Sequence, residues 1–263
     1  MARYTHGHHE SVLRSHRWRT VANSAQYLRP HLVSGVQVLD VGCGPGTITA
    51  EFGELVGENG NVLGIDVASD VIELARQEPH GSNVEFTVTN LFDDALPERS
   101  FDVVHAHQVL QHLDDPVAAL RRMRELTKPG GVVAARDADF GSSNGFPVSA
   151  GLTDWLSLYY SLARANGGEP DAGRRLLSWA HDAGFADVTA SASVWCFATP
   201  PEREWWGDLW ADRVTRSTFG EQALETGLAN HEDLQNMADA WRAWSRDQSG
   251  WVAIVHGEIL ARA

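Results

Sequence analysis

The sequence predicts an α/β fold: a doubly wound, mostly parallel seven-stranded sheet with an N-terminal helical arm and a helical cap inserted before the last strand. Three observations predict it. Short apolar runs alternate with helical segments from residue 36 to residue 136. The first run ends directly in a glycine loop that opens a helix. Two more alternating runs, 188–197 and 251–260, come late and flank a tryptophan-rich helical stretch. The expected organisation is an arm over 1–35, a core over 36–198 and 248–263, and a cap over 199–247.

The elements follow in order. Residues 24–32 read as a short helix ending near Pro30 and His31. The apolar run 36–41 is a buried strand, and 47–56 is the helix after the glycine loop. Residues 61–67 form a second strand, after which Ser69 caps a helix over 70–77. The third and fourth strands are 84–89 and 101–105. Asp115 and Pro116 open a helix that runs to about Thr127, with proline in the first turn. Residues 131–136 are the fifth strand, and 145–185 are helical. Strands joined through helices imply right-handed crossovers and a parallel sheet covered on both faces.

A chain of 263 residues can bury one large core plus a modest cap. Asp and Glu number 35 against 21 Lys and Arg, a net charge of -14 that repels a phosphate backbone, so no nucleic-acid partner is expected. Lys128 is the sole lysine and sits in a Lys-Pro-Gly-Gly turn, which leaves Schiff-base chemistry and a Lys-bearing phosphate loop without a residue. Cys43 and Cys196 make no disulfide framework, so a reduced, cytoplasmic chain is expected. The first twenty residues have no apolar core of a secretory signal, and no run approaches a membrane span. The expected partner is a small-molecule acceptor, with no membrane surface and with a homodimer left open.

The chemistry-bearing motif is Asp40-Val41-Gly42-Cys43-Gly44-Pro45-Gly46. Its glycines let a ligand approach the backbone, and the following helix offers free N–H donors. The spacing is G-x-G-x-G, not the dinucleotide G-x-G-x-x-G. Asp40 just before the loop disfavours a pyrophosphate and favours a ligand carrying an ammonium group. Asp66, ending the second strand, is placed to accept both hydroxyls of a ribose.

Residues 36–139 resemble the class I S-adenosylmethionine-dependent methyltransferases, in particular the ubiquinone/menaquinone-biosynthesis type that acts on small molecules. The resemblance rests on VLDVGCGPGTIT at 38–49, GIDVA at 64–68, FDVVHAHQVLQHLDDP at 101–116 and LTKPGGVVAARDAD at 126–139. It implies S-adenosyl-L-methionine as cofactor. It also implies that Gly42, Cys43, Gly44 and Gly46 pass under its methionine and ribose portions, with Asp40 close by. Asp66 would hold the ribose and Val67 would pack on the adenine. Asn90 and Leu91 would meet the adenine edge, where many relatives carry Asp. His107 and Gln108 would lie near the methyl group. The implied activity is methyl transfer to a small, apolar or aromatic metabolite at carbon, oxygen or nitrogen. The alternatives are a non-catalytic cofactor-binding regulatory or partner subunit, and a cyclase or isomerase assisted by the sulfonium.

Several residues stay outside that resemblance. His6, His8, His9, Glu10 and His16 suit a polar arm, an active-site cover or a metal site, and without an H-E-x-x-H pattern no metal is assigned. Arg14 and Arg17 are candidates for the cofactor carboxylate, with Arg17 preferred and His16 as another donor. Asp137 and Asp139 follow the fifth strand as a solvated end, a Mg²⁺ pair or a general base, and Asp137 and His107 are the catalytic candidates. His105 and His107 are placed on opposite faces of their strand, so that only one faces the ligand, while His112 is expected to pack. Trp205, Trp206 and Trp210 are expected to wall the acceptor, against a reading in which they and Trp241, Trp244 and Trp251 are cap core. Removing residues 1–20 is expected to leave the fold intact, because the sheet begins after residue 35.

Overall fold

Val- and Leu-rich segments such as Val38–Leu39 are buried on both sides, as strands in the middle of a parallel sheet must be. In this computed structural model, residues 10–263 are described. The sheet has seven strands in the order β3-β2-β1-β4-β5-β7-β6. They are β1 (Gln37–Val41), β2 (Asn61–Asp66), β3 (Val84–Val88), β4 (Phe101–His107), β5 (Thr127–Phe146), β6 (Val188–Phe197) and β7 (Trp251–Arg262). β1 to β5 pair in parallel, and β7 lies antiparallel between β5 and β6.

The helices are α1 (Glu10–Arg17), α2 (Thr47–Val56), α3 (Ser69–Gln77), α4 (Pro116–Leu126), α5 (Ala150–Ala165), α6 (Leu176–Asp182), α7 (Pro200–Arg216), α8 (Thr218–Glu225) and α9 (His231–Arg246). None of the described helices is long and apolar enough to cross a membrane. One face of the sheet packs Phe52 of α2, Ile72 of α3 and Leu28 of the arm against Val38 and Val62. The other face packs Leu120 and Met123 of α4 and Leu176 of α6 against Leu39 and Val104. A third cluster joins α5, α7, α8 and α9 around Trp155, Trp210 and Trp241. The helical cap therefore draws on α5 as well as on the segment between β6 and β7.

Three sequence expectations are corrected here. Ser69 does not cap α3: it is the first helical residue, and the Asp66 carboxylate accepts from the backbone N–H of Ala68 at 3.0 Å. β5 is far longer than 131–136, because its Gly- and Ser-containing end still finds partners, with Asn144 opposite Ala253 and Phe146 opposite Trp251. His105 and His107 share a face, because both lie in β4 and residues two apart on a strand point the same way. His105 meets Phe52 of α2, and His107 meets Trp195 of β6.

The arm is also more than a cover. Val12 is fully buried and Leu13 nearly so. Arg213 of α7, buried over the Trp210 ring, donates to the Ser11 carbonyl at 3.2 Å and to the Ser15 hydroxyl at 2.9 Å.

Candidate functional site

The glycine loop follows β1 because no other residue fits there. Gly42 and Gly46 have φ of 64° and 82°, in the left-handed region. A Cβ on Gly42 would stand 2.5 Å from Val109, and one on Gly46 would stand 2.6 Å from Phe86. Both contacts pack the loop against its neighbours. Gly44, at φ 57°, has only His16 of the arm near the position of a Cβ, at 3.7 Å. The arm thus lies over the loop, and the Thr47 hydroxyl donates to the His16 carbonyl at 3.3 Å.

Asp66 ends β2 beside this loop. One carboxylate oxygen accepts from the Gly44 N–H at 3.2 Å and the other from Ala68. Each oxygen keeps a further lone pair for a ligand hydroxyl. Three apolar side chains are exposed around the ends of β2 and β3: Val67 at 69%, Val88 at 44% and Phe92 at 51%. A carboxylate flanked by uncovered apolar surface fits a ribose joined to a flat base. Leu91 is buried, and Asn90 is exposed with its carbonyl oxygen accepting from the Phe92 N–H. Cys43 is a free thiol whose pKa burial raises, helped by Asp40 and Asp66.

Asp40 lies beneath the loop, not on it. Its carboxylate accepts from the Thr49 hydroxyl at 2.5 Å and meets His105 Nδ1 at 2.8 Å, fully enclosed. Arg17 is turned outward to Glu10 and Glu78, at 3.2 and 3.4 Å, and Arg14 reaches toward Asp212 of α7. The arm cation that does enter the site is Arg19, which donates to the Gln108 side-chain oxygen at 2.6 Å.

From Gln108 a polar chain runs inward. Its amide nitrogen meets His256 Nε2 at 2.8 Å, and His256 Nδ1 meets the Ile254 carbonyl at 3.1 Å. If Nδ1 carries the proton for that carbonyl, Nε2 is the acceptor from Gln108, which fixes a neutral tautomer. Gln108 itself has φ 53°, a left-handed conformation rare outside glycine. His107 stands beside this chain, 6.3 Å from His256 and 5.8 Å from Trp195 between ring centroids. Neither of its ring nitrogens has a hydrogen-bond partner. Burial, with Arg19 and Arg136 close by, pushes its pKa well below the usual histidine value. Burial and Arg136 do the same to His256.

The wall next to His107 is aromatic. Trp195 donates its indole N–H to the Asn23 carbonyl at 2.7 Å and meets Trp18 edge-on at 5.2 Å. Trp18 also meets Phe197 and Trp205, each at 5.4 Å. Trp206 and Trp210 are not part of this wall. They are nearly inaccessible and pack with Phe197, Trp155, Phe219 and Trp241 inside the cap. Of Trp205, Trp206 and Trp210, only Trp205 lies against Trp18 on this wall.

The two acids after the old fifth-strand boundary separate. Asp139 is taken by Arg174, at 2.5 and 2.7 Å, and by the Ser142 N–H. Asp137 is enclosed, accepts from the Gln111 N–H at 3.1 Å, and is pushed up to about 7 by burial. It neighbours Arg136 on β5 and so faces the opposite side of the sheet from His107's row. His112 meets Gln111 at 3.0 Å and is lowered to about 3 by burial, with Arg19 contributing. His6, His8 and His9 lie outside the described residues. Among the described residues no three His, Cys, Asp or Glu side chains converge as metal ligands.

Trp18, Arg19, Tyr27, Arg136, Trp195 and His256 are site residues that sequence reasoning missed. The signal for two of them was present: Arg136 and His256 each interrupt an otherwise apolar strand run.

Residues 32–184 match the family described as a methyltransferase domain. The chain is 34% identical over 98% of its length to an uncharacterized methyltransferase of Schizosaccharomyces pombe, covering 95% of that protein. It is 27% identical to a probable methyltransferase of Aspergillus luteorubrus, across 98% of this chain and 96% of that one. Among solved structures, a putative methyltransferase from Bacillus halodurans matches with a TM-score of 0.55 at 16% identity, covering 90% of this chain and 97% of that one. Phosphoethanolamine N-methyltransferase 2 of Haemonchus contortus, solved with S-adenosylhomocysteine, matches with a TM-score of 0.52 at 18% identity. That match covers 88% of this chain and spans 49% of the worm enzyme's length. The two structural likenesses are likenesses of fold.

Proposed function

This chain belongs to the methyltransferase-domain family and is an S-adenosylmethionine-dependent methyltransferase, and from that premise we propose that its acceptor is a small, flat, largely apolar metabolite methylated at an oxygen or nitrogen. The observation that carries the reading is His107: an enclosed histidine with two unpartnered ring nitrogens, set between the glycine-loop end of the sheet and an aromatic wall.

The cofactor, held by the glycine loop, Asp66 and the apolar surface of Val67, supplies an electrophilic methyl group. The chain's own residues do the rest. His107, with both ring nitrogens unpartnered among the described residues, takes the proton that a hydroxyl or N–H acceptor must lose; burial and two nearby guanidinium groups disfavour its charged form, so it suits an acceptor proton that is already acidic. Trp18, Trp195 and Trp205 offer faces and edges against which a flat acceptor is oriented. The arm over Gly44 keeps water from the site, which favours transfer over side reactions. Correct alignment is the main demand on the protein, because the methyl group arrives already activated. The strongly acidic composition supports a small-molecule acceptor over a nucleic acid.

The test is transfer of labelled methyl from S-adenosylmethionine to a panel of phenols, aromatic amines, enolic ketones, aliphatic alcohols and a mixed protein fraction. Label on the heteroatom of an aromatic or enolic compound supports the reading. Label on carbon, label only in protein or in aliphatic alcohols, or an isomerised but unlabelled product contradicts it.

A further inference from the structure

Four adjacent strands carry a polar row across one face of the sheet. His107 of β4 is register partner to Arg136 of β5, Arg136 to Glu258 of β7, and Glu258 to Ser191 of β6. His107, Arg136 and Glu258 are buried in this row, Ser191 at its far end is exposed, and the arm meets the same face where Trp195 donates to the Asn23 carbonyl. Arg136 is fully buried in it.

The bonds within the row are lopsided. Glu258 is well supplied: Oε1 accepts from Ser193 at 2.5 Å and from Arg136 Nε at 3.3 Å, and Oε2 accepts from Ser191 at 2.8 Å. Arg136 spends only its Nε–H, on Glu258 and on Ser193 at 3.0 Å. Both terminal nitrogens of its guanidinium, Nη1 and Nη2, are buried with no partner. The guanidinium lies 5.0 Å from the centre of the Trp195 ring, the same ring that Arg19 approaches at 5.7 Å. Beside it stand His107, with its two unpartnered nitrogens, and Tyr27, whose buried hydroxyl also lacks a partner. Tyr27 packs on this same face of the sheet with Val38, Val103 and Ala134, and Arg136 and Glu258 are among the charges felt by its hydroxyl.

Native interiors rarely leave one charged donor bare, and here four N–H bonds on one guanidinium are bare together. The fork they form has the shape that receives a carboxylate through two parallel hydrogen bonds. Among the described residues the charges felt at the spot are Arg19 and Arg136 against Glu258, with Asp137 and Asp40 further acids nearby, in a chain whose net charge is -14. His107 and His256 add no charge there.

Resting on the methyl-transfer reading, we propose that Arg136, with Tyr27 at its side, is an anion-recognition subsite that takes a carboxylate or equally acidic oxygen of the acceptor, so that the enzyme selects anionic aromatic or enolic substrates. Arg136 is then a specificity residue for the acceptor. It is held in place by Glu258 and Ser193 through its Nε–H, with Ser191 donating to Glu258, and this leaves its fork to the ligand.

The experiment uses the full chain saturated with S-adenosylhomocysteine and titrates it with benzoate and with its neutral counterpart benzamide. The proposal expects benzoate to bind about tenfold or more tightly than benzamide, the scale of one hydrogen bond to a charged group. In the double variant R136Q/E258Q, which removes both charges at nearly constant size, the two probes bind alike while S-adenosylhomocysteine affinity is kept. Tyr27→Phe, which removes only a hydroxyl, weakens benzoate and not benzamide, and it serves the same purpose if the double variant does not fold. Equal binding of the two probes to the wild type, or binding of neither while the cofactor product is held, overturns the proposal. So does a benzoate preference that survives in R136Q/E258Q, or a loss of S-adenosylhomocysteine in that variant, which makes Arg136 a cofactor residue. Failure of the wild type to bind S-adenosylhomocysteine at all strikes the cofactor reading itself and is read separately, before either probe is added.

Discussion

At the β1–β3 end of the sheet the candidate site is made of short loops, each directly after its own strand. At the β4–β7 end it is made of side chains gathered from the arm and four strands. The glycine loop, Asp66 and Asn90–Leu91 lie within about fifty residues, a span typical of consecutive βα units. Arg19, Tyr27, His107, Arg136, Trp195 and His256 span most of the chain. The first region presents the Asp66 carboxylate, itself held by the Gly44 and Ala68 N–H groups, and its apolar flank at Val67 and Phe92 is open. The second is enclosed and rich in unpartnered side-chain donors and acceptors. The comparison teaches that the half binding a common cofactor can be built locally. The half we propose to choose the acceptor is assembled by tertiary folding, and the arm is part of that assembly.

If the arm is integral, removing it should be the most damaging change. Deleting residues 1–20 takes away Val12 and Leu13, together worth about 3–6 kcal/mol of burial. It also strips Arg213 of the Ser11 and Ser15 contacts. Denaturant melts should show a much lowered midpoint or no cooperative transition. A truncated chain that melts like the full one would return the arm to what sequence reading expects, a cover needed for turnover but not for the fold.

The tryptophans divide the two cores next. Trp206→Ala or Trp210→Ala should cost about 3–5 kcal/mol of stability through loss of cap packing, with the acceptor Michaelis constant little changed. Trp205→Ala, at a half-exposed ring against Trp18, should weaken the acceptor more than the fold. The reverse pattern in paired melts and kinetics would move the acceptor wall into the cap.

A smaller effect is expected from pH. His107 and His256 are depressed in the fold, so both stay neutral there while the unfolded chain takes up their protons below about pH 6.5. That stability is full above this pH and is lost as pH falls. Asp137, raised to about 7, works in the opposite sense, holding near pH 5 a proton that its unfolded carboxyl has released. His112, lowered to about 3, adds a third such histidine, so the net near pH 5 is about two protons taken up on unfolding, a loss of about 2.7 kcal/mol per pH unit on acidification. Urea midpoints at pH 6 and pH 5 check it, and a midpoint that rises on acidification would contradict the neutral buried pair.

Sequence legibility follows the same divide. The helix Thr47–Val56 was readable to its ends because Gly46 and Gly57 punctuate it, both with positive φ. The site residues of the first region were readable because each follows a strand end. β5 was not, because its Gly-Ser-Ser-Asn-Gly stretch has a loop's composition and is held extended by β7. The sequence singles out Arg14, Arg17 and His16 for the cofactor carboxylate and not Arg19, which lies just past the end of α1, because spacing in a polar segment does not reveal which cation points inward. The shared face of His105 and His107 was legible from strand alternation and was misread. Trp195 and His256 lie 4.3 Å apart between ring centroids, yet sixty residues of cap separate them in the chain, and no local pattern joins them.

The division between a cofactor half and an acceptor half is tested most directly by one crossed measurement. Asp66→Ala and His107→Gln are each assayed for S-adenosylmethionine affinity by calorimetry and for single-turnover methyl transfer at saturating cofactor. Asp66→Ala should lose roughly 1.5–3 kcal/mol of cofactor binding, the scale of a hydrogen bond to a charged group, and keep most of the saturated rate. His107→Gln should bind the cofactor as the wild type does and lose about 10²- to 10⁴-fold in rate. If His107→Gln keeps its rate, or if both variants fail in cofactor binding alone, the two halves are not separate and His107 is not the base.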